Sequence, residues 1–306
     1  MRSTVRSRNI ARAVRRWYRR HGRTLPWRGI ADPYRVLLSE IMLQQTQVSR
    51  VLEKFPVFLR RFPTINALAD APLREVTIAW RGMGYNNRAV RLHALACTLK
   101  EDYRGRIPGS AEELLLLPGI GRYTAHALLA AVHGKSVPVV DVNVRRLFSR
   151  IFFRMQTFGQ MRTEAEIWRI AGDLVPSRGA YEWNQALMDL GATVCTAHRP
   201  ACGACPVGRF CRSRGLMRKK ASNTARAEPR FHGIPNRIYR GRIIEELRQS
   251  GRRKGIGELH LGRLIHSGYA RAHAPWLRSL LQQLETDGLI KIAHDRRGRQ
   301  ARVTLA

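Results

Sequence analysis

The stretch "EELLLLPGIGRYTAHALLA", residues 112–130, places a glycine-broken turn between two apolar helical runs. Ser110 and Glu113 have the spacing of a capping box, which marks the beginning of the first helix. The turn at 118–121 contains two glycines, which allow a backbone to approach a phosphate group closely. The stretch therefore predicts a helix, a tight hairpin and a second helix, although a tight helical corner alone would also need these glycines.

Helical periodicity extends outward from this hairpin over most of residues 8–195, so the sequence predicts a mainly α protein. Asp32 and Pro33 are a typical helix start, and the helix is predicted to continue to about Phe55. Another segment begins extended at Pro138 and becomes helical near Asp141.

The charge of the chain is strongly positive: 55 Lys and Arg against 22 Asp and Glu give a net charge of +33 over 306 residues. Such an excess indicates a polyanionic partner, and the preponderance of Arg favours phosphate contacts and hence nucleic acid. No apolar stretch reaches the roughly 18 residues of a membrane span, and the basic N-terminus lacks the apolar core of a secretory signal. We expect a cytoplasmic protein, nucleoid-associated in a bacterium or archaeon, with no membrane partner.

Four of the five cysteines lie within a single 17-residue window, "CTAHRPACGACPVGRFC", with the spacing C-x6-C-x2-C-x5-C. In a reducing compartment this density indicates a metal site and not disulfides. Ligand identity by itself permits either zinc or an iron–sulfur cluster. The fifth cysteine, Cys97, lies on an apolar helix and is most simply a buried small side chain.

The C-terminal tail differs in character from the rest of the chain. Residues 216–235 are predicted to be a linker, and 236–306 contain two amphipathic helices followed by a β-hairpin whose turn lies around Arg297 and Gly298. This order predicts a small winged-helix-like domain. Residues 212–306 carry 22 basic and 7 acidic side chains, which fits DNA binding or, alternatively, a solvated basic face.

Several motifs together resemble one known family. The cysteine spacing is similar to the [4Fe-4S] loop of the endonuclease III superfamily of DNA glycosylases, "LPGIGRYTA" resembles its helix-hairpin-helix, and "VPVVDVNVRRL" its segment with the catalytic aspartate. "LSEIMLQQTQV" resembles the signature of the adenine-specific, MutY-type branch, and "TLPWR", "GMGYNNRA" and "WNQALMDLGATVC" are also similar to that branch. The resemblance covers about residues 10–212.

The resemblance implies a helix-hairpin-helix glycosylase fold, with an iron–sulfur module at 1–30 and 137–215 and a six-helix barrel module at 31–136. The linker and the winged-helix-like domain, predicted from the residue pattern, follow it. It implies a [4Fe-4S] cofactor and a double-stranded DNA partner containing a mismatched or damaged base pair, bound by a monomer. The cluster ligands would be Cys195, Cys202, Cys205 and Cys211. The DNA-binding residues would be Gln44, Gln45, Tyr85, Gly119, Gly121 and Arg122.

The same resemblance implies the catalytic residues Glu40, Asp141, Tyr123 and Asn143. Glu40 would protonate the departing base, and Asp141 would stabilise the sugar cation, with Tyr123 and Asn143 orienting both carboxyl groups. Glu40 also has apolar neighbours along its helix, which predicts desolvation and a raised pKa, although such a residue taken alone could equally be a surface glutamate.

Tyr123 stands where strand-cleaving relatives have a lysine, so the resemblance implies a monofunctional glycosylase without strong AP-lyase activity. The sequence also departs from the family: no Nudix-like C-terminal domain is apparent, Val142 replaces a usual glycine, and Asn86 and Asn87 replace commoner residues. The predicted activity is excision of adenine opposite 8-oxoguanine or guanine. The alternatives are a thymine or uracil mismatch glycosylase of the same superfamily, or a non-catalytic iron–sulfur DNA-binding regulator.

Overall fold

The computed structural model describes residues 2–30, 32–157, 160–216, 228–250, 255–294 and 301–306. These residues form fourteen α-helices and five short strands, which confirms the predicted mainly α class. None of the helices in the described ranges combines the length and the apolar run that crossing a bilayer requires. The chain divides into two compact units, each of which is discontinuous in sequence.

The first unit contains the described residues of Met1–Glu40, Pro108–Leu116 and Ile120–Asn223. Its helices are α1 (Arg2–His21), the first part of α2 (Pro33–Leu43), α7 (Ala111–Leu116), α8 (Arg122–Ala131), α9 (Val142–Phe152), α10 (Glu164–Leu174) and α11 (Ala180–Thr193).

The core of the first unit forms where α11 packs on α1 and α9. Apolar residues at helical spacing supply it: Ile10 and Val14 from α1, Leu147 from α9, and Trp183 and Leu187 from α11 are all buried. Local signals fix where the helices begin. The side chain of Asp141 caps α9, and Thr163 with Glu166 forms a capping box at α10.

The second unit contains the described residues of Ile41–Ile107, Leu117–Gly119 and Thr224–Ala306. Its first part holds the end of α2, α3 (Val48–Arg61), α4 (Ile65–Asp70), α5 (Leu73–Ala79) and α6 (Asn87–Tyr103). Its last part holds β1 (Arg230–Phe231), β2 (Ile234–Pro235), α12 (Asn236–Gln249), β3 (Ile256–Gly257), α13 (Glu258–Ile265), α14 (Ala274–Thr286), β4 (Ile290–His294) and β5 (Ala301–Leu305).

The C-terminal segment has the element order of a winged helix. Strands β3, β5 and β4 form one antiparallel sheet in that spatial order, with Ile292 paired to Val303. The predicted hairpin between β4 and β5 is present, and α14 ends just before Gly288, whose φ of 70° lies in the left-handed region. The predicted turn at Arg297 and Gly298 lies outside the described residues.

The sequence did not predict α13, β3 or the hairpin of the two-residue strands β1 and β2. That hairpin lies inside the predicted linker. All three are short, so their periodic patterns are weak. The compact units also divide the chain at other positions than the predicted modules, because the hairpin and α2 each contribute residues to both units. The module boundaries stay a prediction.

One helix prediction was wrong. The helix expected from Pro33 to about Phe55 is interrupted after Leu43, and α3 begins at Val48. Gln45 lies in the break with a φ of 54°, in the left-handed region that helices do not use. The backbone carbonyls of Ile41 and Met42 accept hydrogen bonds from the buried Arg88 side chain (2.9 and 3.0 Å). The Arg88 guanidinium therefore donates the hydrogen bonds that backbone N–H groups of the next helical turn would otherwise have donated to these carbonyls.

Candidate active site

Glu40 lies on α2 at the edge of the first unit and is almost completely buried, with 8% of its surface exposed. Burial raises its pKa to about 7, the negative charge of Asp141 adds to the rise, and a hydrogen bond to Tyr123 together with the charge of Arg28 opposes it. Its Oε2 atom has no hydrogen-bond partner among the described residues. A buried carboxyl group with a free oxygen and a pKa near neutrality can carry and deliver a proton.

Asp141 is the second carboxyl group and occupies the N-cap of α9. Its Oδ1 accepts a hydrogen bond from the backbone N–H of Val144 (2.7 Å) and its Oδ2 accepts one from Nδ2 of Asn143 (2.6 Å). Burial raises the pKa of Asp141, and these two hydrogen bonds act in the opposite direction. The capping geometry fixes the orientation of the carboxylate and places it at the positive end of a helix.

Tyr123 lies on α8, is partly buried and packs against Ala127, Ala130 and Val139. Its pKa is raised well above the ordinary value by burial and by the charges of Glu40 and Asp141, so the phenol keeps its proton. The hydroxyl lies 3.6 Å from Sδ of Met188 and also hydrogen-bonds Glu40. The hydroxyl thus has two acceptors within reach, the thioether of Met188 and the carboxyl group of Glu40.

Asn143 is held in place from the side opposite Asp141. Nη2 of Arg146 donates to Oδ1 of Asn143 (2.8 Å) and to the backbone oxygen of Gly191 (2.7 Å). A Cβ atom at Gly191 would lie 2.8 Å from Cβ of Asn143, so only glycine permits this approach of α9 to α11. The amide of Asn143 therefore has one orientation, with its nitrogen toward Asp141.

The sequence did not single out Arg28, whose charge acts on Glu40, or its buried partner Asp189. The carboxylate of Asp189, on α11, has no exposed surface and accepts hydrogen bonds from Nη1 and Nη2 of Arg28 (both 2.8 Å) and from Nε of Arg23 (2.7 Å). Both Arg28 and Asp189 belong to motifs quoted above, and an aspartate inside the apolar run "ALMDLG" is a usable signal, because a buried charge needs a partner.

The hairpin residues named as DNA contacts lie where their geometry allows a backbone approach. Gly119 has a φ of 77°, which favours glycine, and a Cβ atom built on Gly121 would meet no atom within 4 Å. Gly121 is the N-cap of α8, so open backbone N–H groups follow it. The guanidinium of Arg122 lies over the ring of Trp168 at 4.0 Å, a cation–π contact that fixes its position.

The other predicted DNA contacts belong to the second unit. Gln45 is exposed and Gln44 half-buried in the break after α2, and Tyr85 is exposed with a φ of 44°. The buried Arg88 joins the two places, because its Nη2 donates to Oγ1 of Thr46 (2.8 Å) and to the backbone oxygen of Gly84 (3.2 Å). The Arg88 guanidinium thus fixes both the break after α2 and the loop that contains Tyr85.

The structure therefore brings Glu40, Tyr123, Asp141 and Asn143 together inside the first unit, from three segments far apart in sequence. Gly121 and Arg122 belong to the same unit, whereas Gln44, Gln45, Tyr85 and Gly119 belong to the second. The roles assigned to all of these residues stay predictions.

The four clustered cysteines line one cavity in the first unit: Cys195, Cys202, Cys205 and Cys211. The side chain of Arg150 is buried beside them, and its Nη1 lies 3.3 Å from Sγ of Cys195. Burial, with the mutual repulsion of the sulfur atoms, raises the pKa of Cys205 to about 11 and also raises that of Cys211. In the described residues, no three His, Cys, Asp or Glu side chains are placed to hold a single metal ion.

The donor set fits an iron–sulfur cluster. Four cysteines line one cavity, the number of thiolates that an iron–sulfur cluster takes, and thiolates there would need positive charge to offset their burial. Arg150 supplies part of it, and its other donors are fixed on the backbone oxygens of Thr196 (2.7 Å) and Ala197 (2.9 Å) within the cysteine loop.

The chain is similar to known DNA repair proteins. A family model of HhH-GPD superfamily base excision DNA repair proteins matches residues 38–172, a range that includes Glu40, Tyr123 and Asp141. The chain is 39% identical over 234 residues to an adenine DNA glycosylase of Mycobacterium tuberculosis, and the alignment covers 76% of each protein. It is 41% identical over 207 residues to an adenine DNA glycosylase of Homo sapiens, covering 65% of this chain and 38% of the human protein.

Solved structures show the same fold. A thermostable thymine-DNA glycosylase matches with a TM-score of 0.63 and 28% identity, covering 69% of this chain and 97% of that one. A non-covalent endonuclease III–DNA complex matches with a TM-score of 0.60 and 22% identity, covering 69% of this chain and 95% of the other.

Proposed function

The chain belongs to the HhH-GPD superfamily of base excision DNA repair proteins, and from that premise we propose that it removes adenine mispaired with 8-oxoguanine or guanine. It acts as a monomer on double-stranded DNA, hydrolyses the N-glycosidic bond and leaves an abasic site. The observation that carries this proposal is the pair Glu40 and Asp141. Glu40 is a buried acid with a pKa of about 7, and Asp141 is a carboxylate fixed at a helix N-terminus.

The two carboxyl groups divide the chemistry. A pKa of about 7 leaves protonated Glu40 available at neutral pH, and its proton is donated to N7 of the departing adenine while the glycosidic bond breaks. Asp141 faces the oxocarbenium character that develops on the sugar, and its negative charge stabilises it. Water then adds to C1′ to give the abasic sugar, and its proton passes to the Glu40 carboxylate, which restores the acid. Tyr123 orients Glu40, and Asn143 orients Asp141.

Tyr123 bears on whether base removal is followed by strand cleavage. A lysine in its place could form a Schiff base with the sugar and lead to strand cleavage, whereas a protonated phenol cannot. The protein is therefore a monofunctional glycosylase, and strand breaks appear only after alkali or a second enzyme. A strong covalent complex of the wild-type protein trapped with borohydride would contradict this.

DNA is held by the backbone amides of the hairpin and by positive charge. Gly119 and Gly121 open the hairpin to a phosphate oxygen, and Arg122 stands beside them. Gln44, Gln45 and Tyr85 contact the base opposite the adenine or fill the gap after the adenine leaves the stack, a step that costs a few kcal/mol. With a net charge of +33, binding weakens steeply as salt concentration rises.

Cys195, Cys202, Cys205 and Cys211, which line one cavity, would hold a [4Fe-4S] cluster. When bound, it cross-links the cysteine loop and provides a one-electron redox centre. The test is the iron, acid-labile sulfide and zinc content of protein purified without oxygen, in wild type and Cys202→Ser. We expect iron and sulfide in equal amounts in wild type and a loss of both in the variant. Stoichiometric zinc without sulfide would contradict the proposal.

The function is tested with four duplexes assayed with and without alkali: A opposite 8-oxoguanine, A opposite guanine, T opposite guanine and U opposite guanine. We expect excision from the first two, with strand breaks only after alkali. Excision restricted to T or U would favour a pyrimidine mismatch glycosylase, and one structural relative is a thermostable thymine-DNA glycosylase. Binding without excision from any duplex would favour the DNA-binding regulator.

A further inference from the structure

Tyr85 combines exposure with backbone strain. Its side chain is 59% exposed, and its φ of 44° lies in the left-handed region, which costs a bulky residue about 1–2 kcal/mol. Such a conformation persists only where the residues around it are firmly held. The loop between α5 and α6 must therefore be anchored on both sides of Tyr85.

The anchor on the N-terminal side lies within the α5–α6 region itself. The backbone oxygen of Gly84 accepts hydrogen bonds from Nε1 of Trp80 (3.1 Å) and from Nη2 of Arg88 (3.2 Å). Both donor side chains are buried, so this contact is shielded from water.

The anchor on the C-terminal side comes from the winged-helix segment. Arg248, on α12, donates from Nη2 to Oδ1 of Asn86 (2.9 Å) and from Nε to the backbone oxygen of Thr77 (3.1 Å). Its side chain is only 6% exposed. Asn86 is the N-cap residue of α6, yet its side chain makes no capping hydrogen bond. Its oxygen is thus used by Arg248 and not by its own helix.

Further contacts fix the winged-helix segment on α5, α6 and the loop between them. Glu245 forms ion pairs with Arg248 and with Arg81. Ile78 and Val90 pack against the apolar core of the winged-helix segment. A Cβ atom at Gly288 would lie 3.2 Å from Cγ1 of Val90, which indicates close packing. The winged-helix segment that carries Arg248 is therefore fixed against α5 and α6.

We propose that Arg248 is a positioning residue through which the winged-helix segment holds Asn86, and with it the strained Tyr85, in the conformation used on DNA. The role of Tyr85 on DNA rests on the proposed function. The anchoring of the loop does not, because it follows from contacts inside the second unit. Asn86, one of the residues at which the sequence departs from its family, is the receiving partner in this arrangement.

The experiment measures hydrogen–deuterium exchange of peptides spanning residues 83–90 in the full-length protein. The variants are Arg248→Ala, Asn86→Ala and the double variant, with Arg237→Ala as the control on the same helix. Arg237 is exposed and pairs with Glu228. We expect exchange about tenfold faster in Arg248→Ala and in Asn86→Ala, because a hydrogen bond to a charged group is lost. The double variant should be no faster than Arg248→Ala, and Arg237→Ala should stay within about twofold of wild type.

Unchanged exchange in both single variants, or faster exchange in Arg248→Ala alone, would overturn the proposal. If Arg248→Ala destabilises the whole segment, Asn86→Ala still decides, since it leaves α12 and its ion pairs intact. Single-turnover excision of adenine opposite 8-oxoguanine is measured alongside, and we expect it to slow equally in both single variants. A wild-type protein that excises no adenine would contradict the proposed function, whereas the exchange data decide on the anchor separately.

Discussion

Glu40 and Asp189 are two buried carboxyl groups of the same compact unit, and their environments push their pKa values in opposite directions. Burial raises the pKa of Glu40 to about 7, and its Oε2 has no partner among the described residues. Burial also acts to raise the pKa of Asp189, but hydrogen bonds and charge from Arg28 and Arg23 outweigh it and leave that pKa below its ordinary value.

Burial alone therefore does not make a carboxyl group a catalytic acid. Asp189 has two arginines and stays ionised, so it serves as a structural tie between α11 and residues 23–28. Glu40 has a phenol as its partner and keeps an oxygen free, so it can exchange a proton with a substrate. Substitutions of these two carboxyl groups and of the phenol beside Glu40 should therefore differ in size and in kind.

Glu40→Gln should lower the single-turnover rate of adenine excision by about 10³-fold, because general acid catalysis contributes on this scale. The amide has nearly the same shape but cannot donate the proton. Binding of the duplex with A opposite 8-oxoguanine should be retained, which also separates an enzyme from a DNA-binding regulator. The matched control is Glu101→Gln, an exposed glutamate on α6. Its rate should equal that of wild type, and a rate for Glu40→Gln equal to that of this control would refute the assignment.

Asp189→Asn should lower the free energy of unfolding by about 3–5 kcal/mol, because two arginines lose their buried counter-charge. Urea denaturation followed by circular dichroism measures this effect. Asp173→Asn is the control, since Asp173 is exposed and its ion pair with Arg169 is weak at 3.7 Å. A loss in Asp189→Asn no larger than in the control would mean that the buried tie does not stabilise the fold.

The two carboxyl groups should also give opposite pH dependences of stability. Since the pKa of Glu40 rises from 4.5 unfolded to about 7 folded, the folded state holds the extra proton, and stability is lost as the pH rises between these values. The loss is about 3 kcal/mol. The free energy of unfolding of wild type relative to Glu40→Gln should fall by that amount from pH 4.5 to 7.

Asp189 provides the internal comparison for this pH experiment. Its folded pKa lies below its unfolded value, so its stabilisation is present above the unfolded pKa and is lost as the pH falls through the folded pKa. The difference between wild type and Asp189→Asn should therefore shrink only in acid. If the stability differences of wild type from Glu40→Gln and from Asp189→Asn follow the same pH trend, the contrast between the two carboxyl groups is refuted.

Tyr123→Phe should produce the smallest effect, a displacement of the alkaline limb of the pH–rate profile. The phenol hydrogen bond lowers the pKa of Glu40, so its removal raises that pKa and extends activity to higher pH. The rate at the acid plateau should fall by no more than about tenfold, the value of one lost hydrogen bond. An alkaline limb that stays in place would show that the proton donor is a group other than Glu40.

Much of this site could be predicted from the sequence, because its signals are short and local. The glycines at 119 and 121 predicted the hairpin, and the cysteine spacing predicted four ligands around one centre, which line one cavity in the structure. The apolar neighbours of Glu40 predicted its desolvation and raised pKa. Each of these inferences depends on residues within a few positions of one another.

Other features escaped because they depend on distant residues. The break after Leu43 involves hydrogen bonds from Arg88, which lies more than forty positions away. Arg28 and Asp189 stand 161 residues apart, and neither segment alone names the other as its partner. The attachment of Arg248 to Asn86 joins residues 162 positions apart, one of them in a tail that the family resemblance does not cover.

The helical class, the hairpin, the caps and the types of residue that the chemistry needs follow from local sequence. Capping and periodicity act within three or four residues, so they can be read along the chain. The tertiary fold, in contrast, pairs Asp189 with arginines and leaves one oxygen of Glu40 without a partner among the described residues. It also places Arg248 against Asn86, next to the strained Tyr85. Those outcomes depend on which distant groups meet once water is excluded, because desolvation and pairing together set the charge of a buried group.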